Sequence, residues 1–323
     1  MSLTIWCNTK FSESATQRLA KGVQPHRLIV SSHASASVLT AGQIDASLQE
    51  ADIAFGQPAV ADCLAAPRLR WIELSTAGYT RYDHDEFKEQ LRTRGAMLTN
   101  ASTVFADSCA QHVLAMILGL ARQLPQSLTD QLTDRSWHWA ERRYNSRLLT
   151  GQTVLLLGFG AIGRRLAELL APFGVTVMAL RRQSRSEQAV RIIAAEAIST
   201  ALAAADHVVN ILPENEATVG YVNARRLACC KRGARFYNVG RGTTVDQPAL
   251  IEALESGRLD AAYLDVTDPE PLPPEHPLWT TRNCFITPHT AGGRHDQDEA
   301  LVDHFLANLA AFTGGTALTD RVI

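Results

Sequence analysis

Short apolar runs bounded by Gly, Pro, Asp or Arg alternate along this chain with longer stretches in which apolar positions recur every three or four residues. Runs too short for a helix and rich in Val, Ile and Leu read as strands buried on both faces, and the intervening stretches read as amphipathic helices. That alternation predicts an α/β protein with parallel sheets and crossover helices, not a sandwich or a bundle. In the first hundred residues the predicted strands are Leu3–Trp6, Arg27–Val30, Asp52–Phe55, Trp71–Leu74 and Met97–Thr99. Further on they are Thr153–Leu157, Val175–Leu180, His207–Ile211, Arg235–Asn238, Ala261–Asp265 and Cys284–Ile286, a longer and more regular set.

Between the two sets, Cys109, Val113, Met116, Ile117, Leu120 and Leu124 fall at helical spacing, which predicts a helix over Asp107–Leu124 stopped by Pro125. Residues Gln126–Thr150 hold Trp137 and Trp139 among charges with no clear period. That stretch is either a loose loop or an arm that packs on another subunit, and the arm is preferred because it displays large apolar side chains. A last helix is predicted over Arg294–Phe312, carrying His295 and His304.

At 323 residues the chain exceeds the ~150 typical of one domain, so two domains with a ligand cleft are expected. The 31 Lys and Arg residues nearly balance the 33 Asp and Glu residues, which argues against nucleic acid or an anionic membrane as the main partner and for a small molecule. Six scattered cysteines without C-x-x-C spacing fit reduced buried thiols, not a disulfide framework or a zinc site, and no other metal site is expected. The most apolar run, Val113–Ala121, is shorter than the ~18 residues a membrane span needs. The N-terminus shows no signal core, so a cytoplasmic protein is expected.

The segment Gly158-Phe159-Gly160-Ala161-Ile162-Gly163 is G-x-G-x-x-G, with a buried strand before it and a helix, Arg164–Phe173, after it, closed by Gly174. In that context the first glycine permits a tight turn, the second lets backbone approach a pyrophosphate, and the third lets helix and strand pack closely. The helix N-terminus then offers unpaired N–H groups to the anion. An NAD site usually places an acid at the end of the following strand, ~20 residues on. None stands between Glu168 and Glu187, and the strand runs instead into Arg181-Arg182-Gln183-Ser184-Arg185. Guanidinium forks and a hydroxyl at Arg181, Arg182, Ser184 and Arg185 suit a 2′-phosphate, so NADP(H) is the expected cofactor, with NAD(H) still open. The competing reading is a solvated basic turn.

Three polar islands each follow a predicted strand, where an open α/β sheet places its ligands. They are Asn238-Val239-Gly240-Arg241-Gly242, then Asp265 through Pro273 with Glu270, then Thr287-Pro288-His289-Thr290-Ala291-Gly292-Gly293. Arg, Glu and His are what carbonyl reduction requires: a cation for a carboxylate and developing alkoxide, a proton donor, and a carboxylate that favours imidazolium. Singly, each has a structural alternative as a cap, a solvated acid or a satisfied loop histidine.

The order and wording of these islands resemble the D-isomer-specific 2-hydroxyacid dehydrogenases over nearly the whole chain. Leu69 through Gly78 resembles the family's substrate loop, Thr99-Asn100 with the helix after it resembles the interdomain crossing, and Ile211 through Thr218 resembles the loop beside the cofactor. The resemblance implies two doubly wound parallel-sheet domains. One is a flavodoxin-like substrate domain over 1–100 plus 291–323, and the other a Rossmann-type dinucleotide domain over 101–290. It further implies that His289 is the acid/base, Glu270 its partner and Arg241 the substrate-binding cation, with Ala77 and Gly78 holding the carboxylate. Asp265 would lie near the nicotinamide, with Leu212, Pro213, Thr218, Val239 and Gly240 among the cofactor contacts. Gln111-His112 and Gly240 depart from the commoner family residues and leave the subfamily open.

The function implied is an NADPH-dependent reduction of a small 2-oxo acid such as glyoxylate or hydroxypyruvate by a homodimer. Bulkier aryl or branched 2-oxo acids remain alternatives, since the pocket involves the Phe55–Pro58 and Tyr79–Tyr82 loops. A nucleotide-sensing binding protein on the same fold is the rival from a different class. The chain's end at Ile323, soon after the last predicted helix, favours the enzyme.

Overall fold

The structure is a computed structural model and describes residues 2–36, 42–181 and 190–323. The chain divides into two compact units, Met1–Phe105 with Arg294–Ile323, and Ala106–Gly293. Each unit is built on one parallel sheet flanked by helices, the two-sheet α/β class expected from the alternation of short and periodic apolar segments.

In the first unit the strands are β1 (Thr4–Thr9), β2 (Arg27–Ser35), β3 (Ile53–Gly56), β4 (Trp71–Leu74) and β5 (Met97–Thr99), in the order β2-β1-β3-β4-β5. That is the flavodoxin-like doubly wound order, with its reversal between β1 and β3. β3 and β4 are buried at every position, and among their side chains only Glu73 is charged. The helix Gln297–Gly314 belongs to this unit and buries Leu301, Val302, Phe305 and Leu309 along one stripe. The Phe305 ring stacks on Phe55 at 4.3 Å and on Trp71 at 5.4 Å, which ties the helix to the middle of the sheet. It starts at Gln297, not Arg294, because the Arg294 guanidinium folds back onto Asp296 at 2.7 Å and closes a turn first.

The second unit carries β6 (Thr153–Leu157), β7 (Thr176–Leu180), β8 (Arg191–Ile193), β9 (His207–Asn210), β10 (Ala234–Asn238), β11 (Leu259–Leu264) and β12 (Cys284–Ile286). Their order is β12-β11-β10-β9-β6-β7-β8, all parallel, with the winding reversing between β6 and β9. That is the Rossmann-type arrangement, extended by one strand. Leu155, Val208, Phe236 and Leu264 from the strands pack with Leu202, Leu227, Leu250 and Leu254 from the helices to form its core.

Two expectations are corrected around Pro125. The helix runs over Ser102–Ala121 instead of Asp107–Leu124, and Gln123 leaves it with a left-handed φ of 61°. Pro125 does not stop a helix but sits in the first turn of the next, Leu124–Leu132, where its missing N–H has no intrahelical partner to lose. The Ser102–Ala121 helix, with a mean hydropathy of 1.5, is long and apolar enough to cross a bilayer by length and composition, which an uninterrupted apolar run did not reveal. Half of that window is buried inside the protein, with Ala110, Val113, Ile117 and Leu120 in the core.

The stretch without a clear period contains the short helices Leu124–Leu132 and Trp139–Asn145, neither of which buries a residue. Leu132 is 82% exposed and Trp137 92% exposed, and Leu128, Tyr144 and Leu148 are also on the surface. The cysteines are free thiols, and burial raises Cys7, Cys63, Cys109, Cys230 and Cys284 to about 12, which keeps them unreactive.

Candidate active site

Because every strand of the second unit is parallel, the loops after β6, β9, β10, β11 and β12 all leave the same end of the sheet. The first is the glycine turn. Gly158 has φ 105°, a conformation that L side chains rarely adopt, and a Cβ there would stand 3.1 Å from the Ile211 carbonyl. Phe159 is buried, and Gly163 packs against the Gly158 carbonyl. Gly160 differs: it is exposed, and a Cβ there would meet nothing within 4 Å. Gly160 is also the N-cap of the helix Ala161–Leu170 and offers no side-chain cap. The N–H groups of Ala161, Ile162 and Gly163 lack intrahelical acceptors, so the turn presents donors to open space at the positive end of a helix. These features fit a pyrophosphate. The half-buried Arg181 follows β7, whereas Arg182, Ser184 and Arg185 lie outside the described residues.

After β9, Leu212 is buried and Pro213 exposed, and the Thr218 hydroxyl closes the loop by donating to the Pro213 carbonyl at 2.6 Å and accepting from the Asn215 N–H. After β10, Val239 and Gly240 are buried and Arg241 is half-buried. The Arg241 carbonyl accepts from Asn238 Nδ2 at 3.1 Å and Thr244 Oγ1 at 2.6 Å, and Asn210 holds both of those side chains. Gly242 beside it is packed so tightly that a Cβ would fall 1.9 Å from the Thr267 carbonyl. The guanidinium of Arg241 makes a 2.6 Å bond from Nη1 to the Gly240 carbonyl.

The loops after β11 and β12 are held by one carboxylate. Asp265, 2% exposed, accepts from the Thr287 hydroxyl at 2.6 Å, the Thr290 N–H at 2.8 Å and the Ala291 N–H at 2.9 Å. The Asp265 carbonyl accepts from the His289 N–H at 2.8 Å. Four bonds thus hold His289 at φ 53°, a left-handed conformation that needs such support in a residue with a Cβ. His112 Nε2 stands 3.3 Å from the Thr287 hydroxyl, behind this loop.

His289 Nδ1 lies 2.8 Å from Glu270 Oε2, and Glu270 Oε1 accepts the Thr267 N–H at 3.0 Å. Burial pushes the Glu270 carboxyl up, but the His289 hydrogen bond and charge, the Thr267 N–H and the Arg241 charge outweigh it and hold the group below its ordinary value. With Nδ1 on the carboxylate, the other ring nitrogen, Nε2, is left for a ligand.

The first unit contributes a separate feature after β4. Residues Ser75 to Gly78 form a bend in which the carbonyls of Thr76, Ala77 and Gly78 are engaged. Thr76 O accepts from the Ala101 N–H at 3.0 Å, Ala77 O from Asn100 Nδ2 at 2.7 Å, and Gly78 O from Thr76 Oγ1 at 2.7 Å. Carbonyl and following N–H point opposite ways in a trans peptide, so the N–H groups of Ala77 and Gly78 face away from these partners. Neither N–H donates to another group among the described residues, and the two make a small nest for an anion. Gln57 Nε2 reaches Thr76 Oγ1 at 3.1 Å behind it.

Thr287, Asn100, Asn238 and Thr244 carry this scaffolding. Thr287 and Asn238 stand in the polar islands of the sequence and Asn100 in the Thr99-Asn100 pair, but the sequence assigns none of the four a role of its own. Elsewhere, Asp130, Asp134 and His138 bring possible metal-ligating atoms within 4.8 Å of one another, but Asp130 is already paired with Arg142 at 2.7 Å.

Residues 114–291 match the family described as D-isomer specific 2-hydroxyacid dehydrogenase, NAD binding domain. The chain is 35% identical over 235 residues to the glyoxylate reductase/hydroxypyruvate reductase of Homo sapiens, covering 72% of this chain and 70% of that one. It is 33% identical over 286 residues to the glyoxylate/hydroxypyruvate reductase B of Yersinia pestis, covering 86% and 85%. The crystal structure of a D-isomer specific 2-hydroxyacid dehydrogenase from Xanthobacter autotrophicus Py2, in complex with NADPH and MES, matches with a TM-score of 0.84 at 27% identity, covering 100% of this chain and 98% of that one.

Proposed function

The chain belongs to the D-isomer specific 2-hydroxyacid dehydrogenases, and from that premise we propose that it reduces a small 2-oxo acid of the glyoxylate or hydroxypyruvate kind to the D-2-hydroxy acid with NADPH. Membership makes it an NAD(P)-dependent oxidoreductase of small 2-oxo and 2-hydroxy acids. The observation that carries the proposal is the 2.8 Å contact of His289 Nδ1 with Glu270, beside the Arg241 loop at the ligand-binding end of the sheet.

When bound, a reduced nicotinamide would supply a hydride for C2 of the substrate. The chain's own residues do the rest. His289, oriented through Nδ1 by Glu270, gives an Nε2 proton to the carbonyl oxygen and takes one back from solvent. Arg241 pairs with the substrate's charge as the alkoxide develops. The Ala77 and Gly78 N–H groups hold the carboxylate. Asp265 keeps the His289 loop in place near the nicotinamide. The glycine turn from Gly158 to Gly163 holds the pyrophosphate, with Leu212, Pro213, Thr218, Val239 and Gly240 beside the cofactor. On this reading the Ala106–Gly293 unit carries the cofactor and the other unit the substrate carboxylate.

The preference for NADPH rests on Arg181, Arg182, Ser184 and Arg185 after β7, together with the lack of an acid between Glu168 and Glu187. The NADPH bound to the Xanthobacter relative supports it. The exposed apolar side chains between Leu124 and Leu148 support a homodimer built through that arm. The test is a spectrophotometric assay with NADPH and NADH side by side against glyoxylate, hydroxypyruvate, pyruvate, phenylpyruvate and 2-oxoisocaproate. Turnover of the two small acids with NADPH is expected. A clear advantage for NADH would overturn the arginine reading alone, and NADPH binding without any turnover would point to a nucleotide-sensing protein.

A further inference from the structure

We infer that Asn100 is a positioning residue for the substrate: it sets the direction of the Gly78 N–H and thereby the affinity for the 2-oxo acid's carboxylate. This deepens the proposed function and rests on it.

Asn100 is 4% exposed and all its polar atoms are used within the first unit. Its Nδ2 donates to the Ala77 carbonyl at 2.7 Å, and its Oδ1 accepts from the Ser102 N–H at 3.2 Å. Its backbone N–H donates to the Asp320 carbonyl at 3.1 Å, and its carbonyl lies 3.1 Å from His304 Nε2. Because one side-chain partner is a carbonyl and the other an N–H, only one orientation of the amide satisfies both.

The consequence lies in the peptide between Ala77 and Gly78. That plane has two hydrogen-bonding ends, and the protein takes the carbonyl end through Asn100. The Gly78 N–H at the other end is then fixed in direction without being consumed. Losing the clamp frees the plane to rotate, so an N–H aimed at the ligand becomes one that must be ordered on binding. The neighbouring plane has its own anchor, the Ala101 N–H on Thr76 O, so the loss is confined to one donor.

Asn100 also caps the helix Ser102–Ala121, and a cap residue is a structural feature. Asn100→Asp separates the two roles. Aspartate caps a helix as well as asparagine does, so the Ser102 N–H keeps its acceptor. A carboxylate cannot donate to the Ala77 carbonyl, and at neutral pH it repels it. The clamp is thus lost and the cap kept.

The measurements are KM and kcat for glyoxylate with saturating NADPH, the melting temperature, and the calorimetric affinity for oxalate with NADPH present. In Asn100→Asp, KM and the oxalate dissociation constant should each rise about tenfold, the loss expected for one hydrogen bond to a charged group. kcat should change less than about twofold, the pattern of lost uniform binding, while the buried carboxylate facing a carbonyl lowers the melting temperature without unfolding the protein at the assay temperature. Unchanged oxalate affinity in Asn100→Asp, or no oxalate binding by the parent protein, would overturn the clamp. A fall in kcat with KM unchanged would overturn it too. A parent protein that binds oxalate but turns over no 2-oxo acid would sink the proposed reaction and leave the oxalate comparison to decide the clamp.

Discussion

Glu270 and His289 meet through Oε2 and Nδ1 at 2.8 Å, although nineteen positions and a strand, β12, separate them in the chain. The contact fixes which ring nitrogen faces the protein. His289→Ala should therefore abolish proton donation and lower kcat by roughly a hundredfold or more, the usual scale of general acid catalysis, while NADPH affinity stays within about twofold. Glu270→Gln keeps an acceptor for the Thr267 N–H but removes the charge, so kcat/KM should fall about tenfold. Steady-state kinetics with fluorescence titration of NADPH check both, and full activity in His289→Ala would end the assignment.

Asp265 should matter through geometry. Its two oxygens accept three bonds from Thr287, Thr290 and Ala291, and an amide offers one oxygen and an NH2 that would face an N–H. Asp265→Asn should lower both the melting temperature and kcat, because His289 at φ 53° loses its support. Thr287→Val removes one of the three donors and should cost clearly less. Equal losses in the two variants would show that the carboxylate does something other than hold the loop.

Much of this architecture is legible in sequence because the inner strands of both sheets are buried on both faces. β4, β5, β6 and β12 stand where their short apolar runs end, and most other strands differ by a few residues at their ends. β8 was not anticipated: three residues beginning with an arginine carry too little pattern to separate an edge strand from a loop. Pro125 misled because a proline that ends one helix and a proline that opens the next look alike without the intervening turn at Gln123. The catalytic-type side chains announce themselves as polar islands after apolar runs. Asn100 and Gln57 do not, since what makes them important is a partner far away in sequence, such as Ala77 for Asn100. Side-chain pairings of that kind follow from the packed backbone, and no local rule reaches them.

His304 supplies a pH test of the first unit. It is 9% exposed at its side chain, with Nε2 3.1 Å from Glu73 Oε1, 3.7 Å from Asp320 Oδ2 and 3.1 Å from the Asn100 carbonyl. Thr103 and Asn308 complete its surroundings. Burial pushes the imidazole down, but the hydrogen bond and charge of Glu73, the charge of Asp320 and the Asn100 carbonyl outweigh it and raise it above its ordinary 6.5. A group raised in the folded state contributes its stability in full below 6.5 and loses it as pH climbs through the folded value. His304→Gln should therefore be destabilised by up to about 3 kcal/mol in mildly acidic buffer. Denaturation midpoints for both proteins should converge as pH rises; a gap that widens with pH would contradict the pairing.

The arm should report on assembly. Leu132 and Trp137 are 82% and 92% exposed and contribute nothing to their own unit's core. Replacing both with serine should leave the fold and melting behaviour of the isolated chain intact. If a second copy covers them, the double variant should sediment as a monomer under conditions where the parent is a dimer, since an interface needs about 800 Å² from each partner and these are the arm's most exposed apolar side chains. A parent that is already monomeric, or a variant that stays dimeric, would remove the arm from the interface.

Gly158 and Gly160 stand two residues apart and should fail in different ways. At Gly158, φ is 105° and a Cβ would lie 3.1 Å from the Ile211 carbonyl, so Gly158→Ala strains the backbone itself and should lower the melting temperature. At Gly160 the backbone is extended with φ −87°, which alanine adopts freely, and a Cβ would touch nothing within 4 Å. The weaker N-cap of Gly160→Ala is offset by the reduced freedom of its unfolded chain, so its stability should match the parent within about 1 kcal/mol. Its new methyl group, however, would occupy the space through which a pyrophosphate reaches the N–H groups of Ala161 and Ile162. NADPH affinity should then fall at least about tenfold, with binding energy lost to a contact and not to unfolding. Calorimetry of NADPH binding alongside thermal denaturation separates the two outcomes. Tight NADPH binding by Gly160→Ala would mean that the phosphates lie elsewhere than over this turn.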